Sequence, residues 1–179
     1  MIQAPVHNPQ TKLRLGFVGG LDFGPNYDSA SFIIDEVAPL LIEMSGGIEI
    51  VIGGRKPPQS LIDRAAKFPF IKIVGYVDDI DLFWRNLDAF LIPHITGSGV
   101  RTKLLESLAR RIPTLTNPAG FDRISPELSA VPYLHVLKSP EDWATLIKSG
   151  TLRNERDSSL ALPFPTQLLG KNTMGFWKD

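Results

Sequence analysis

Ile48-Glu49-Ile50-Val51-Ile52-Gly53-Gly54 is the stretch that decides the fold. Its β-branched residues run on with little alternation and then stop at two glycines. A strand with one wet face alternates apolar and polar residues, whereas a parallel strand covered on both faces reads as a near-continuous apolar run. Four other stretches repeat the pattern. Leu15 to Val18 breaks into Gly19-Gly20, Ile71 to Val74 into Gly75, Phe90 to Ile95 into Gly97-Ser98-Gly99, and Pro113 to Leu115 into Pro118-Ala119-Gly120. Small residues just past such strands let a ligand approach the backbone at the carboxyl edge, where open α/β sheets bind their ligands. The expected fold is α/β, a doubly wound parallel sheet of Rossmann-like type, with function along a row of Gly-rich loops.

Helical spacing fills the intervals between these runs. Ile33, Val37, Leu40, Leu41 and Met44 predict a helix capped near Asp28 or Ser29 and kinked or split at Pro39. Ser60 to Lys67, Asp79 to Arg85 and Val100 to Arg110 read as further helices, the last with Val100, Leu104, Leu105 and Leu108 on one stripe. A sixth strand at Tyr133 to Val136 and a helix from Pro140 to Lys148 close the alternation, since proline suits a first helical turn. Residues 1–12 lack periodicity and read as a leader or interdomain linker, and 13–150 as one Rossmann-like domain. Residues 151–179 read as a C-terminal tail, with a polar run, a Pro163-Phe164-Pro165 break and a short helix from Thr166 to Trp177.

The balance of 19 basic and 19 acidic residues leaves no global field to recruit nucleic acid, so an anion site must be built locally. The chain has no cysteine, which excludes disulfides, zinc-thiolate sites and a thiol nucleophile, and accords with a reducing, cytoplasmic location. No apolar stretch reaches the length of a membrane span. The three histidines, His7, His94 and His135, are too scattered to suggest a metal site.

The segment Thr96-Gly97-Ser98-Gly99-Val100-Arg101-Thr102-Lys103-Leu104-Leu105-Glu106 carries the chemistry. It passes from strand through a glycine turn into a helix, so the first helical N–H groups point toward the carboxyl edge, where they can bind phosphate oxygens. Arg101 and Lys103 in that first turn oppose the helix dipole, which an anionic ligand would offset; the bland alternative is that both extend into water. Glu106 suits acceptance of sugar hydroxyls, or else pairs with Lys103 or Arg110. Gly53-Gly54-Arg55-Lys56 repeats the logic with two positive charges at strand two, and Gly19-Gly20 leaves room without charge. Tyr76-Val77-Asp78-Asp79 either cradles a base or is a turn whose aspartates cap the next helix. The third glycine of a dinucleotide fingerprint is replaced by Thr102, and no Gly-x-x-x-x-Gly-Lys-Ser/Thr loop, Gly-x-Ser-x-Gly elbow or His-Glu-x-x-His helix exists.

Taken in order, Phe17-Val18-Gly19-Gly20-Leu21-Asp22 with Pro25-Asn26, Ile52-Gly53-Gly54-Arg55, Val74-Gly75-Tyr76-Val77-Asp78-Asp79, Gly97 to Ala109 and Ile112-Pro113 resemble the C-terminal half of retaining GT-B glycosyltransferases of family four, the group 1 type. The resemblance covers most of residues 13–150. It implies a nucleotide-sugar donor domain whose acceptor domain precedes it, with a nucleotide diphosphate sugar as substrate and no cofactor or metal. By the same resemblance, Glu106 holds the ribose hydroxyls, Thr102, Lys103 and Leu104 present backbone amides to the diphosphate, and Val77 lies beside the base. Gly19, Gly20, Arg55, Gly97, Ser98, Gly99 and Arg101 complete the expected donor site.

Three positions depart from the family pattern. Ser98 stands where the first of two paired glutamates is frequent. The Arg and Lys that many members carry after the first strand are absent, with Gly20 and Pro25-Asn26 in that region, and Arg55, Arg101 or Lys103 are the candidates to substitute. Arg111 stands where a helix-ending glycine is usual. The leading expectation is sugar transfer by a chain incomplete without its acceptor domain; the rivals are a non-catalytic nucleotide-binding or interaction module and, more weakly, a doubly wound oxidoreductase. Leu168, Leu169, Met174, Phe176 and Trp177 make the tail apolar enough to expect self-association.

Overall fold

The computed structural model describes residues 12–93, 101–121, 128 and 130–161, with Arg101, Phe121, Leu160 and Ala161 described by their backbone alone. The expectations that fall on Gly97, Ser98 and Gly99, on the Arg101 side chain, on His94, on the leader up to Thr11 and on the tail from Leu162 onward lie outside these residues.

Six strands form one sheet: β1 (Leu13–Val18), β2 (Ile48–Gly53), β3 (Ile71–Gly75), β4 (Ala89–Ile92), β5 (Thr114–Thr116) and β6 (Leu134–Val136). All pair in parallel, in the order β3-β2-β1-β4-β5-β6. This is the doubly wound, Rossmann-like arrangement expected. The chain winds outward from β1 to β3, returns to the centre and winds the other way from β4. The strand order therefore reverses between β1 and β4, which opens a crevice beyond their carboxyl ends.

Both faces of the sheet are covered, which is why its strands lack alternation. Leu15, Phe17, Ile50, Ile52 and Leu91 turn into one core with Ile33, Val37, Leu41 and Trp143. Val51, Phe90 and Ile92 turn into the other, with Phe83, Trp84, Leu104 and Leu108. Gly16 is required for close approach, because a Cβ there would lie 2.5 Å from Leu87 Cδ1.

The helices are α1 (Gly24–Phe32), α2 (Gln59–Ala65), α3 (Ile80–Arg85), α4 (Arg101–Ala109), α5 (Pro118–Phe121), α6 (Pro140–Lys148) and α7 (Thr151–Ala161). α1 starts earlier than a cap at Asp28 or Ser29 would have it, with Phe23 at the cap position and proline in the first turn. Ser29 does not cap; its hydroxyl donates to Pro25 O and to Pro93 O, tying α1 to the end of β4. Beyond α1 the helix continues as a π segment (Ile33–Val37) and a 3-10 segment (Ala38–Met44), a split next to Pro39 as expected. α6 has the predicted bounds and a capping box of Ser139 and Asp142. The amide donors from Ser139 and Lys138 hold the Asp142 carboxyl below its usual range.

The polar run after residue 150 is the helix α7, packed on the body through Leu152, Arg156 and Ser159. It solves the problem posed by Arg111, which adopts φ 54° at the end of α4. Arg156 Nη1 donates to Arg110 O at 3.0 Å and Arg111 O at 2.7 Å, and Ser159 Oγ donates to Arg111 O at 2.6 Å. A helix end that glycine would ordinarily finish is closed by side chains from α7.

Candidate functional site

A cleft of about 570 Å³ opens at the carboxyl ends of β1, β2 and β3, lined by turns that follow each strand. Gly19, Gly20, Arg55 and Val77, four of the residues singled out in the sequence, line it together with Asp22, Phe23, Asn26, Tyr76 and Ile80. Gly53 and Gly54 allow this convergence. A Cβ on Gly54 would lie 1.8 Å from Gly19 O, so the β1 and β2 turns meet backbone to backbone.

Gly19 does not leave empty room, contrary to the sequence expectation. The space that a Cβ would take is filled by Lys103 Nζ at 2.5 Å and Asn26 Cγ at 2.7 Å. Lys103 reaches from α4, on the β4 side of the crevice, and its ammonium donates to Asn26 Oδ1 at 2.7 Å. It also stands 5.4 Å from the centre of the Phe17 ring, within reach of a cation–π attraction. Among the described residues no carboxylate pairs with it within 4 Å. Burial therefore lowers its pKa to about 8, with Glu106 acting weakly the other way.

The remaining expected residues separate by environment. Thr102 is exposed at the start of α4, whereas the Leu104 side chain is fully buried in the core, leaving only its backbone for ligand contact. Glu106 is half-buried, with Oε1 3.6 Å from Arg110 Nη1, the pairing weighed as its bland alternative. Arg110 also meets Asp81 at 2.9 Å. Arg55 and Lys56 are not two free charges at the edge, because Asp22 lies 4.0 Å from Arg55 Nε and 3.5 Å from Lys56 Nζ. Lys56 itself takes φ 51°, a strained turn beside the cleft. Asp79 caps α3, accepting from Leu82 N at 2.8 Å.

Sequence reasoning missed Asn26 as a functional residue, since it entered only as a departure from a pattern. Phe23 was missed too, and Tyr76 entered only as part of the Tyr76 to Asp79 turn: the two side chains expose 57% and 72% of their surface at the cleft. Chain order gives no sign of the contact between Asn26 and Lys103, which are 77 positions apart. No three metal-ligating side chains gather among the described residues, and no helix among them is long and apolar enough to cross a membrane.

The family model for glycosyl transferases group 1 matches residues 12–149. The chain belongs to that family. Solved structures agree on the fold. A mutant TarM of S. aureus, crystallised with fondaparinux, α-GlcNAc-glycerol and UDP, superposes with a TM-score of 0.64 at 14% identity, over 99% of this chain and 38% of that one. WaaG, a glycosyltransferase involved in lipopolysaccharide biosynthesis, gives 0.64 at 19% identity, over 96% and 48%. A UDP-forming trehalose-phosphate synthase from Burkholderia xenovorans gives 0.66 at 12% identity, over 93% and 44%. This group 1 domain thus spans less than half the length of each of these structures. A sequence search of curated proteins returns no match.

Proposed function

We propose that this group 1 domain binds the donor of a retaining glycosyltransferase. A nucleotide diphosphate sugar occupies the cleft while the sugar passes to a hydroxyl acceptor with retention at the anomeric carbon, and a separate acceptor domain completes the enzyme. The observation that carries the reading is the Lys103 ammonium, desolvated beside the glycine turn of β1 and held by a neutral amide instead of a carboxylate. A diphosphate supplies the counter-charge that no described residue brings within 4 Å, and the negative charge that grows on it as the sugar departs strengthens the attraction. Backbone N–H groups of Thr102, Lys103 and Leu104 in the first turn of α4 add donors.

In this reading Lys103 takes over from the cations absent after the first strand, Val77 adjoins the base, Glu106 receives the ribose hydroxyls, and no metal or cofactor takes part. UDP in the TarM structure and the coverage of less than half of each relative support the donor and the two-domain assignment. The reading places the protein in the cytoplasm, with self-association through the tail. Titration calorimetry with nucleoside diphosphates and nicotinamide dinucleotides tests it: binding of a nucleoside diphosphate is expected, and binding of the dinucleotides alone overturns it. Ser98 at the position of the first paired glutamate favours a second reading, a nucleotide-binding module without transferase activity. A transferase assay on the chain joined by an acceptor domain separates the two.

A further inference from the structure

Asn26 belongs to α1, which follows β1, and Lys103 to α4, which follows β4. The two strands are neighbours at the point where the strand order reverses, so a contact between these residues spans the crevice itself. The Asn26 amide bonds in both directions. Nδ2 donates to Gly20 O at 3.0 Å, and Oδ1 accepts from Lys103 Nζ at 2.7 Å. Its orientation is fixed by chemistry, because a flipped amide would set an NH₂ group against an ammonium and an oxygen against a carbonyl. The pair packs on the bare backbone of Gly19, where any side chain would displace it.

A lysine head on a four-carbon stem ordinarily samples many positions. Here the head stands over the Phe17 ring and is tethered to an amide that is itself anchored on the β1 turn. We propose that Asn26 is a positioning residue for diphosphate recognition: anchored on the Gly20 carbonyl, its side chain holds the Lys103 ammonium over Gly19 at the edge of the cleft, with two N–H donors that no described residue takes available for phosphoryl oxygens. This rests on the reading of the cleft as a nucleoside diphosphate site. A neutral acceptor suits the task. A carboxylate would cancel the charge and repel the diphosphate, and an apolar side chain would leave the ammonium untethered. Among the described residues, Glu106 on the same helix acts on the Lys103 charge, and Asp22 and Arg55 stand at the neighbouring Gly20 turn.

The test is titration calorimetry of UDP, GDP and ADP against the full chain and its Asn26→Ala and Asn26→Asp variants, from neutral to alkaline pH. The unaltered chain is expected to bind at least one of them, with affinity falling as pH rises through about 8. Asn26→Ala is expected to weaken that binding about tenfold at neutral pH and to move the midpoint of the fall to lower pH, because an acceptor that favours the charged amine is gone. Asn26→Asp is expected to weaken binding as well but to move the midpoint to higher pH. If the alanine variant does not fold, the near-isosteric aspartate still provides the reading. Unchanged affinity, or weakened affinity with an unmoved midpoint, overturns the positioning role while leaving the donor site standing. Failure of the unaltered chain to bind any of the three overturns the donor reading and this inference with it.

Discussion

At the C-terminal end of α4 the carbonyls of Arg110 and Arg111 receive three hydrogen bonds from Arg156 and Ser159 of α7, whereas near its N-terminal end the Lys103 ammonium meets one neutral amide. Arg156 is buried and Lys103 partly so. Arg156 spends its Nη1 donors on two carbonyls of the protein, and burial is partly offset by the charge of Asp88 and Asp157. Lys103 makes one hydrogen bond among the described residues. A cation whose bonds close a helix end serves stability, and one tethered to a neutral amide beside a cleft serves binding, so the same helix is closed at one end and receptive at the other.

The sharpest break of this comparison is Arg156→Ala. It strands Arg110 O, leaves Arg111 O to Ser159 alone, and is expected to cost about 3 kcal/mol in chemical denaturation without changing nucleotide affinity. A loss under about 1 kcal/mol would mean that α7 does not seal the helix end. Lys103→Met is expected to do the reverse. Affinity for a nucleoside diphosphate should fall about a hundredfold, or about 2.7 kcal/mol, while thermal stability holds or rises, since a desolvated ammonium has been removed.

The two properties should also run oppositely with pH. Lys103 has a folded-state pKa of about 8, below the ordinary 10.5, so between those values the unfolded chain binds more protons. The ligand-free protein is therefore expected to gain stability as pH rises through that window, a gain that denaturation curves of Lys103→Met should lack. Nucleotide binding should weaken across its lower end. Parallel pH trends in stability and binding would contradict the assignment.

Smaller effects sharpen the picture. Glu106→Gln is expected to weaken nucleotide binding by about 1 kcal/mol with little change in melting temperature, because its contact with Arg110 is long and partly exposed. A sharp fall in melting temperature at unchanged affinity would make Glu106 structural. Arg111→Gly should raise stability by about 0.5 kcal/mol in urea titration, the relief of φ 54° being partly offset by the freer unfolded chain.

The strands were legible because burial on both faces writes itself into a run such as Ile48 to Ile52, and the glycines after them marked the carboxyl edge. α7 was not legible as a packed helix. Its inward face is Leu152, Arg156 and Ser159, and a reading based on apolar periodicity passes over an arginine and a serine that are buried because they bond to carbonyls. The start of α1 was misplaced for a related reason: Ser29 resembles a cap, yet its hydroxyl serves Pro25 and Pro93. At the site, the basic character of the first turn of α4 was plain. Which cation is desolvated, and that it lies over Gly19 against Asn26, depends on a crossing of the crevice between residues far apart in the chain.

The 1.8 Å between Gly19 O and the place a Cβ would take on Gly54 leaves no room for substitution at position 54. In a saturation library that position should reject all nineteen alternatives, alanine and tryptophan alike, because the obstacle is a neighbouring main chain that no rotamer change can clear. The two turns are in effect welded. Main-chain bonds from Gly19 N to Gly53 O and from Leu21 N to Arg55 O join them further, so a ligand that presses on the loop after β1 is expected to carry the loop after β2 with it, while the exposed rings of Phe23 and Tyr76 at the rim stay free to adjust.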